Sequence, residues 1–418
     1  MNMKKYFYIV VSILMALSLC ACSSDEYEAK VTELRLVSVN PANGYPGDIV
    51  TILGRNFSPD SEKDSVSING VSAQIIEAYK DKLLIILPEN VPGEYTVKVT
   101  SPAGTLEGLK INYLKIPDHE YLVTTVIGQQ NVRKCVDGIG TSALTYLPTG
   151  VNKAPDGSIW FTDRGGNCVR RIAQDMTVTT LADLSAGHGA VWQGCFDAQG
   201  NYYFCDKGTG EFEKYTVADG KVTVIASGMS SPMNVCMDKS GNFYVSVRDD
   251  KVIYKFDSKM NKTVFADIPE RPNYCKFDPK GNLIVTLNKG YKIESIAPDG
   301  TISNICGDGV KPDAASDGLD GDPLTASINV VRGIDFDSNG IMYFSDATFN
   351  RIRKLTPDAN GDYSKGKLET IAGDSQGYAD GKGLNVKFYE PDDILVYDDN
   401  TIYIADANNC LIRKMTIK

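Results

Sequence analysis

Residues 333–355 read "GIDFDSNGIMYFSDATFNRIRKL", and residues 393–415 read "DILVYDDNTIYIADANNCLIRKM". Both share one skeleton: apolar alternation, a turn on Gly or Asn, an aromatic pair, Asp, a small polar loop and a basic run. Four more copies stand earlier in the chain: "GVNKAPDGSIWFTDRGGNCVRRI", "GCFDAQGNYYFCDKGTGEFEKYT", "NVCMDKSGNFYVSVRDDKVIYKF" and "YCKFDPKGNLIVTLNKGYKIESI". Their turn residues are Gly157, Gly200, Gly241, Gly281, Gly340 and Asn400, spaced by 43, 41, 40, 59 and 60 residues. Fixed-period self-similarity of this kind marks a repeat architecture.

Each copy reads as short strands of period two, such as "IMYFSD" and "TIYIAD", separated by residues that accept tight turns. A fourth strand follows in most copies, as in "KVTVIASG" and "KLETIAG". Four antiparallel strands per unit, buried against neighbours on both faces, is the pattern of a propeller blade. The expectation is therefore an all-β protein whose residues 115–418 form a six-bladed β-propeller.

The long connector "IAGDSQGYADGKGLNVKFYEP" at 371–391 and its looser relatives make the units resemble NHL repeats, a family of propeller blades. The strand-like run 121–129, "YLVTTVIGQ", has no unit before it, and the last unit ends after three strands. These two are expected to pair and close the ring, so that no sheet edge stays open. The resemblance implies a fold and leaves function open, because this architecture hosts many activities.

Ahead of the ring, "MNMKKYFYIVVSILMALSLCAC" places Lys4 and Lys5 before an apolar run too short to span a bilayer comfortably, so 1–21 reads as a signal peptide. "LCAC" resembles a bacterial lipobox with Cys22 as the lipidated residue, and 22–30 follows as a tether. Lipid chains would hold the protein to a membrane at about 0.8 kcal/mol per buried methylene. "SSDE" after Cys22 resembles the acidic signal that directs lipoproteins to the outer leaflet of the outer membrane, facing the cell exterior. Residues 31–114 hold seven or so short strands between Pro and Gly turns, as a small immunoglobulin-like β-sandwich requires. With Pro41, Gly44, Gly47, Gly54, Asn56, Phe57, Pro88 and Gly93, the segment resembles an IPT/TIG domain, which in this position implies a spacer.

The chain carries 43 basic and 53 acidic residues. No basic block stands in the mature part, which excludes nucleic acid as a partner and favours an uncharged or cationic ligand. Zinc chemistry wants several His or Cys ligands on one axis. The only histidines, His119 and His188, lie in a linker and before the second unit. Acidic runs with Asp317, Asp320 and Asp322, and with Asp358 and Asp362, could offer oxygens to Ca²⁺. The Asp-Gly pair, however, recurs in each long connector, which favours a turn role. No GxSxG elbow is present. The reading assigns no metal, no cofactor and no catalytic residue.

In a propeller, loops preceding the first strands and following the second strands gather around one mouth, where loops carry function. The residues placed there are Arg164, His188, Trp192, Gln193, Asn234, Arg248, Asn273, Tyr274, Arg332 and Tyr389. Aromatics interleaved with amides and guanidinium groups suit a sugar's C–H faces and hydroxyl edges. Trp192 is read either as a platform or as an anchor plugging the gap between two blades. The whole resembles the surface glycan-binding lipoproteins of polysaccharide-uptake systems, which implies an oligosaccharide or polysaccharide ligand and an outer-membrane transporter complex as partner. A protein-interaction scaffold and a propeller hydrolase or lyase are the alternatives.

Overall fold

A computed structural model describes residues 33–113, 119–312 and 320–418. The expected signal peptide, Cys22, the tether and Asp317 lie outside the described residues. The chain divides into two compact units, Met1–Ile116 and Pro117–Lys418. Among the described residues, no helix is long and apolar enough to cross a membrane.

The first unit is an immunoglobulin-like sandwich. Arg35–Asn40, Ile49–Arg55 and Lys82–Ile86 pair antiparallel in one layer. Ser65–Ile68, Gly93–Ser101 and Gly104–Tyr113 form the other, and Val71–Ala78 pairs with strands of both. Period-two alternation turns Val50, Ile52, Val66, Ile68, Leu83, Ile85, Val97, Val99 and Ile111 inward, where all are buried. Each contributes about 1.5–3 kcal/mol on leaving water. Gly54 is required by packing: a Cβ there would stand 2.3 Å from the Phe57 ring and 2.3 Å from the Arg35 carbonyl oxygen.

The second unit is a ring of six antiparallel blades built on four strands each, with a two-residue connector strand, Gly138–Ile139 or Gly381–Lys382, added at the outer edge of blades I and VI. From the innermost strand outward, blade I is Pro148–Lys153, Ile159–Asp163, Cys168–Ile172 and Thr177–Asp183. Blade II is Val191–Phe196, Tyr202–Asp206, Glu211–Thr216 and Lys221–Ala226. Blade III is Pro232–Met237, Phe243–Val247, Val252–Phe256 and Lys262–Asp267. Blade IV is Pro272–Phe277, Leu283–Leu287, Ile293–Ile296 and Ile302–Cys306. Blade V is Val331–Phe336, Met342–Asp346, Arg351–Thr356 and Lys367–Ala372. Blade VI is Pro391–Asp398, Thr401–Asp406 and Leu411–Ile417, completed by Tyr121–Gly128. That last strand runs antiparallel to Leu411–Ile417, from Tyr121 opposite Ile417 to Gly128 opposite Leu411. Glu120 and Lys418 exchange backbone hydrogen bonds at 2.9 Å.

Every second strand is buried on both faces, which is why it reads as apolar and aromatic. The turns before it use Gly157, Gly200, Gly241, Gly281 and Gly340 at φ of 80°, 83°, 81°, 90° and 76°, a region that favours glycine. The Asn400 turn differs. Blade VI's first strand runs on to Asp398 opposite Thr401, and the hairpin closes on two residues.

Two polar devices repeat with the strands. In the turns, Asp197, Asp238, Asp278 and Asp337 each accept backbone N–H bonds from two to four residues ahead, at 2.8–2.9 Å. At the ends of second strands, Asp163, Asp346 and Asp406 accept from the incoming inter-blade loop and face a buried arginine of the third strand. These pairs are Asp163 and Arg170 at 3.7 Å, Asp346 and Arg353 at 3.3 Å, and Asp406 and Arg413 at 2.8 Å. The same arginines reach the Asp-Gly pairs of the long connectors: Asp137 at 3.0 Å, Asp320 at 2.8 Å and Asp380 at 2.7 Å. Each of those carboxylates also takes the N–H and hydroxyl of a threonine on the neighbouring strand, Thr180, Thr370 or Thr125. The recurring Asp-Gly is thus a docking point for the connector.

Candidate functional site

Side chains from all six blades meet at the mouth. Trp192, on the first strand of blade II, packs on Met233 of blade III and Tyr274 of blade IV, whose ring centroid is 6.5 Å away. Over the indole stand three cations: Arg164 from the loop after blade I's second strand at 4.5 Å, Lys207 of blade II at 5.7 Å, and Arg248 of blade III at 5.9 Å. Arg248 donates to the Asn273 amide oxygen, and Asn273 donates to the Val331 carbonyl at 3.2 Å. Across the opening, the Tyr274 hydroxyl donates to Asp392, whose second oxygen takes Arg332 at 2.7 Å; Arg332 also reaches Glu390 at 3.1 Å.

This placement corrects part of the sequence reading. Trp192 is 3% exposed and Tyr274 1%, so neither offers a platform to a sugar. Gln193, Asn234 and Asn273 are also buried, and the Asn234 amide is turned onto the Gln193 side-chain oxygen at 2.7 Å. The reason is geometric. These residues belong to first strands, which converge on the axis and pack against one another, and not to the loops before them. Trp192 is the inter-blade anchor. Arg164, His188, Arg248, Arg332 and Tyr389 keep partial exposure. Lys207 joins them at the mouth, where it follows the Asp that ends a second strand as Arg164 does.

The electrostatics of the mouth are uneven. Arg332 is neutralised by Asp392 and Glu390. Arg271, at the edge, pairs with Asp249 at 3.2 Å, whose other oxygen takes the Ser231 hydroxyl. Arg164, Lys207 and Arg248 have no ion pair among the described residues. Burial, then the charges of Arg248 and Arg164, pull the Lys207 ammonium below its ordinary pKa, and burial lowers Arg248 as well. Inside the cluster, Trp192 Nε1 and Arg248 Nε are buried donors without a hydrogen-bond partner among the described residues, each a cost of about 1–3 kcal/mol.

Deeper in, Asp393 is fully buried beside Gly333, accepts Val151 N–H at 2.8 Å and is pushed by burial up to about 8. Gly333 is what admits it, because a Cβ there would lie 2.2 Å from Asp393 Oδ1.

His188 precedes the first strand of blade II, which keeps the strand-end Asp of blades I, V and VI and lacks their arginine. Glu213 pairs with Phe204 in the register that Arg170, Arg353 and Arg413 occupy in other blades. His188 Nδ1 lies 3.1 Å from Glu213 and 3.3 Å from Asp206, so the histidine stands where the arginine's charge would be. The three side chains could converge on a metal ion, their ligand atoms lying within 4.8 Å of one another. Asp206, however, already accepts four backbone N–H groups, from Gly189, Ala190, Gly208 and Thr209. Its oxygens serve as a loop cap. His188 is legible in the sequence and its partners are not; the signal is Glu213 standing where blades I, V and VI carry arginine, next to an Asp that ends the second strand as theirs do.

On the opposite face, where first strands end at Met237, Phe277 and Phe336, a cleft of about 700 Å3 is lined by Tyr244, Phe265, Phe277, Lys255, Lys276 and Asp335. The Tyr244 ring meets Phe265 and Phe277 edge-on at 5.0 and 4.9 Å, and Lys276 pairs with Asp335 at 2.7 Å.

Residues 34–111 match the family model of the IPT/TIG domain. No curated protein matches the chain. Among solved structures, a protein of unknown function from Bacteroides thetaiotaomicron is similar at TM-score 0.61 and 21% identity, covering 94% of this chain and 100% of its own. An auxiliary nutrient binding protein from Bacteroides ovatus is similar at TM-score 0.60 and 18% identity, covering 92% and 98%. A putative phosphatase from B. thetaiotaomicron is similar at TM-score 0.60 and 15% identity, covering 92% and 97%. At these identities the likeness establishes the fold: an N-terminal IPT/TIG domain followed by a six-bladed β-propeller, the architecture of Bacteroides propeller proteins.

Proposed function

We propose that this is a non-enzymatic, lipid-anchored cell-surface protein that holds an oligosaccharide or polysaccharide at the propeller mouth, as a component of a polysaccharide-uptake system. The observation that carries the reading is the mouth itself. Planar hydrogen-bonding groups from different blades, Arg164, Arg248 and Arg332 among them, converge there with partial exposure over a buried aromatic floor. Rigid, pre-positioned donors around one opening bind without a large ordering cost. The carboxylates alongside are engaged in structure: Asp392 in Arg332 and Tyr274, Asp206 in backbone amides. A nutrient-binding role in one protein of this fold supports the reading.

In this proposal Cys22 carries the anchor, the IPT/TIG domain is the spacer, the blades are NHL-type, and an outer-membrane transporter complex is the partner that receives the glycan. Affinity electrophoresis of the mature protein against a panel of polysaccharides tests it. Retardation by one class supports glycan binding. Uniform free migration, with a membrane protein co-purifying, would replace it by the scaffold reading.

A further inference from the structure

We infer that the ligand held at the mouth is anionic, and that Arg164, Lys207 and Arg248 are the groups that read its carboxylate or sulfate. The inference rests on the reading of the mouth as a ligand site and adds the ligand's class, against the expectation that net charge sets.

Three cations surround one indole at 4.5, 5.7 and 5.9 Å. The mutual repulsion of three like charges gathered at partly buried positions is normally relieved by interleaved carboxylates. Here the nearest ones are directed elsewhere: Asp249 to Arg271 and Ser231, and Asp392 to Arg332 and Tyr274. The indole face takes up part of the charge by cation–π contact, and among the described residues no acceptor holds the Arg164 guanidinium N–H groups. Arginine edges match the planar, two-oxygen geometry of a carboxylate, and a lysine adds a movable point charge. The two buried donors without acceptors, Trp192 Nε1 and Arg248 Nε, lie within the same cluster. A neutral sugar could use the hydrogen bonds; only an anion also relieves the charge. The geometry points to a glycan bearing uronic acid or sulfate groups.

The test uses the full mature chain and the double variant Arg164→Gln/Lys207→Gln, with polygalacturonate, chondroitin sulfate, neutral galactan and dextran in affinity electrophoresis. Inorganic sulfate in a thermal melt is the second probe. Retardation by the acidic polymers alone, weakened about tenfold or more by the double variant and by added salt, is the expected result. Arg164→Lys, which keeps the charge and loses the planar fork, should bind between wild type and the double variant, and equal Tm values of all three proteins without sulfate separate lost recognition from lost folding. Retardation by neutral polymers equal to that by acidic ones, unchanged in the double variant, would overturn the anion assignment while leaving glycan binding standing. Free migration on every polymer, with sulfate still raising the wild-type Tm and not that of the variant, would keep the anion site and overturn the glycan reading. Free migration with no sulfate effect overturns both.

Discussion

His188 Nδ1 stands 3.1 Å from Glu213 Oε1, and this contact replaces in blade II the buried carboxylate–guanidinium pairing of blades I, V and VI. Burial pushes the Glu213 carboxyl up to about 7, against the lowering influence of His188. A group whose folded pKa is raised contributes stability that is full below its unfolded value, about 4.5, and is lost as pH rises through the folded one. Stability should therefore fall between pH 4.5 and about 7 by an amount on the order of 2–3 kcal/mol from this group. Glu213→Gln should flatten that part of the profile. Parallel pH–Tm curves for the two proteins would refute the assignment.

Arg413 satisfies Asp406 at 2.8 Å and Asp380 at 2.7 Å, tying the last connector to the closing blade. Arg413→Leu leaves Asp406 buried and without its cation, a change expected to cost about 3–5 kcal/mol. Burial already raises Asp406 to about 6, and losing the arginine raises it further. Protonation then relieves part of the penalty, so the loss measured by urea unfolding should be larger at pH 8 than at pH 5.

Two glycines should fail for different reasons. Gly333→Ala drives a methyl into Asp393 and should cost about 1–3 kcal/mol through overpacking. Gly281→Ala meets no atom within 4 Å but sits at φ +90°, so its cost, about 1 kcal/mol, is conformational. Thermal melts of both, with Gly281→Asn regaining stability because Asn tolerates the left-handed region, would separate strain from collision.

Trp192 is covered by Arg164 and Lys207, whereas Trp160 is packed among Phe196, Tyr202 and Tyr215. In a Trp160→Phe background, Arg164→Ala should shift the remaining indole emission to the red and raise its quenching by iodide. An unchanged spectrum would mean that the guanidinium does not shield the ring.

The eight described cysteines are free thiols, and six are buried. Cys236 and Cys275 approach within 3.5 Å without bonding. Native protein should react slowly with a thiol reagent, first at the half-buried Cys135 and Cys195, and fully only once unfolded.

The ring was legible because each blade must solve the same packing problem, and the solution leaves a period: a buried second strand in all six, a turn glycine before it in five, and an Asp at its end in four. The site was legible only as a neighbourhood. "GHGAVWQG" gives no sign of where loop becomes strand; Val191–Phe196 is strand, and that one boundary turns Trp192 and Gln193 from rim to axis. The charge of the mouth was hidden for another reason. Asp197, Asp238, Asp278 and Asp337 are engaged in turns and Asp163, Asp206, Asp346 and Asp406 in strand-end caps, so a chain with an excess of acid presents cations where its loops converge. Net charge averages over residues that are already occupied.

Pairing Tyr121–Gly128 with Leu411–Ile417 also sets an order of events during biosynthesis. The first propeller strand to leave the ribosome finds its partner only when Leu411–Ile417 has been made, nearly three hundred positions later. Until then Val123 and Ile127, fully buried in the finished ring, remain uncovered. Closure is the slow, long-range step, and the nascent chain is most exposed to self-association, and most dependent on chaperones, in the interval before it.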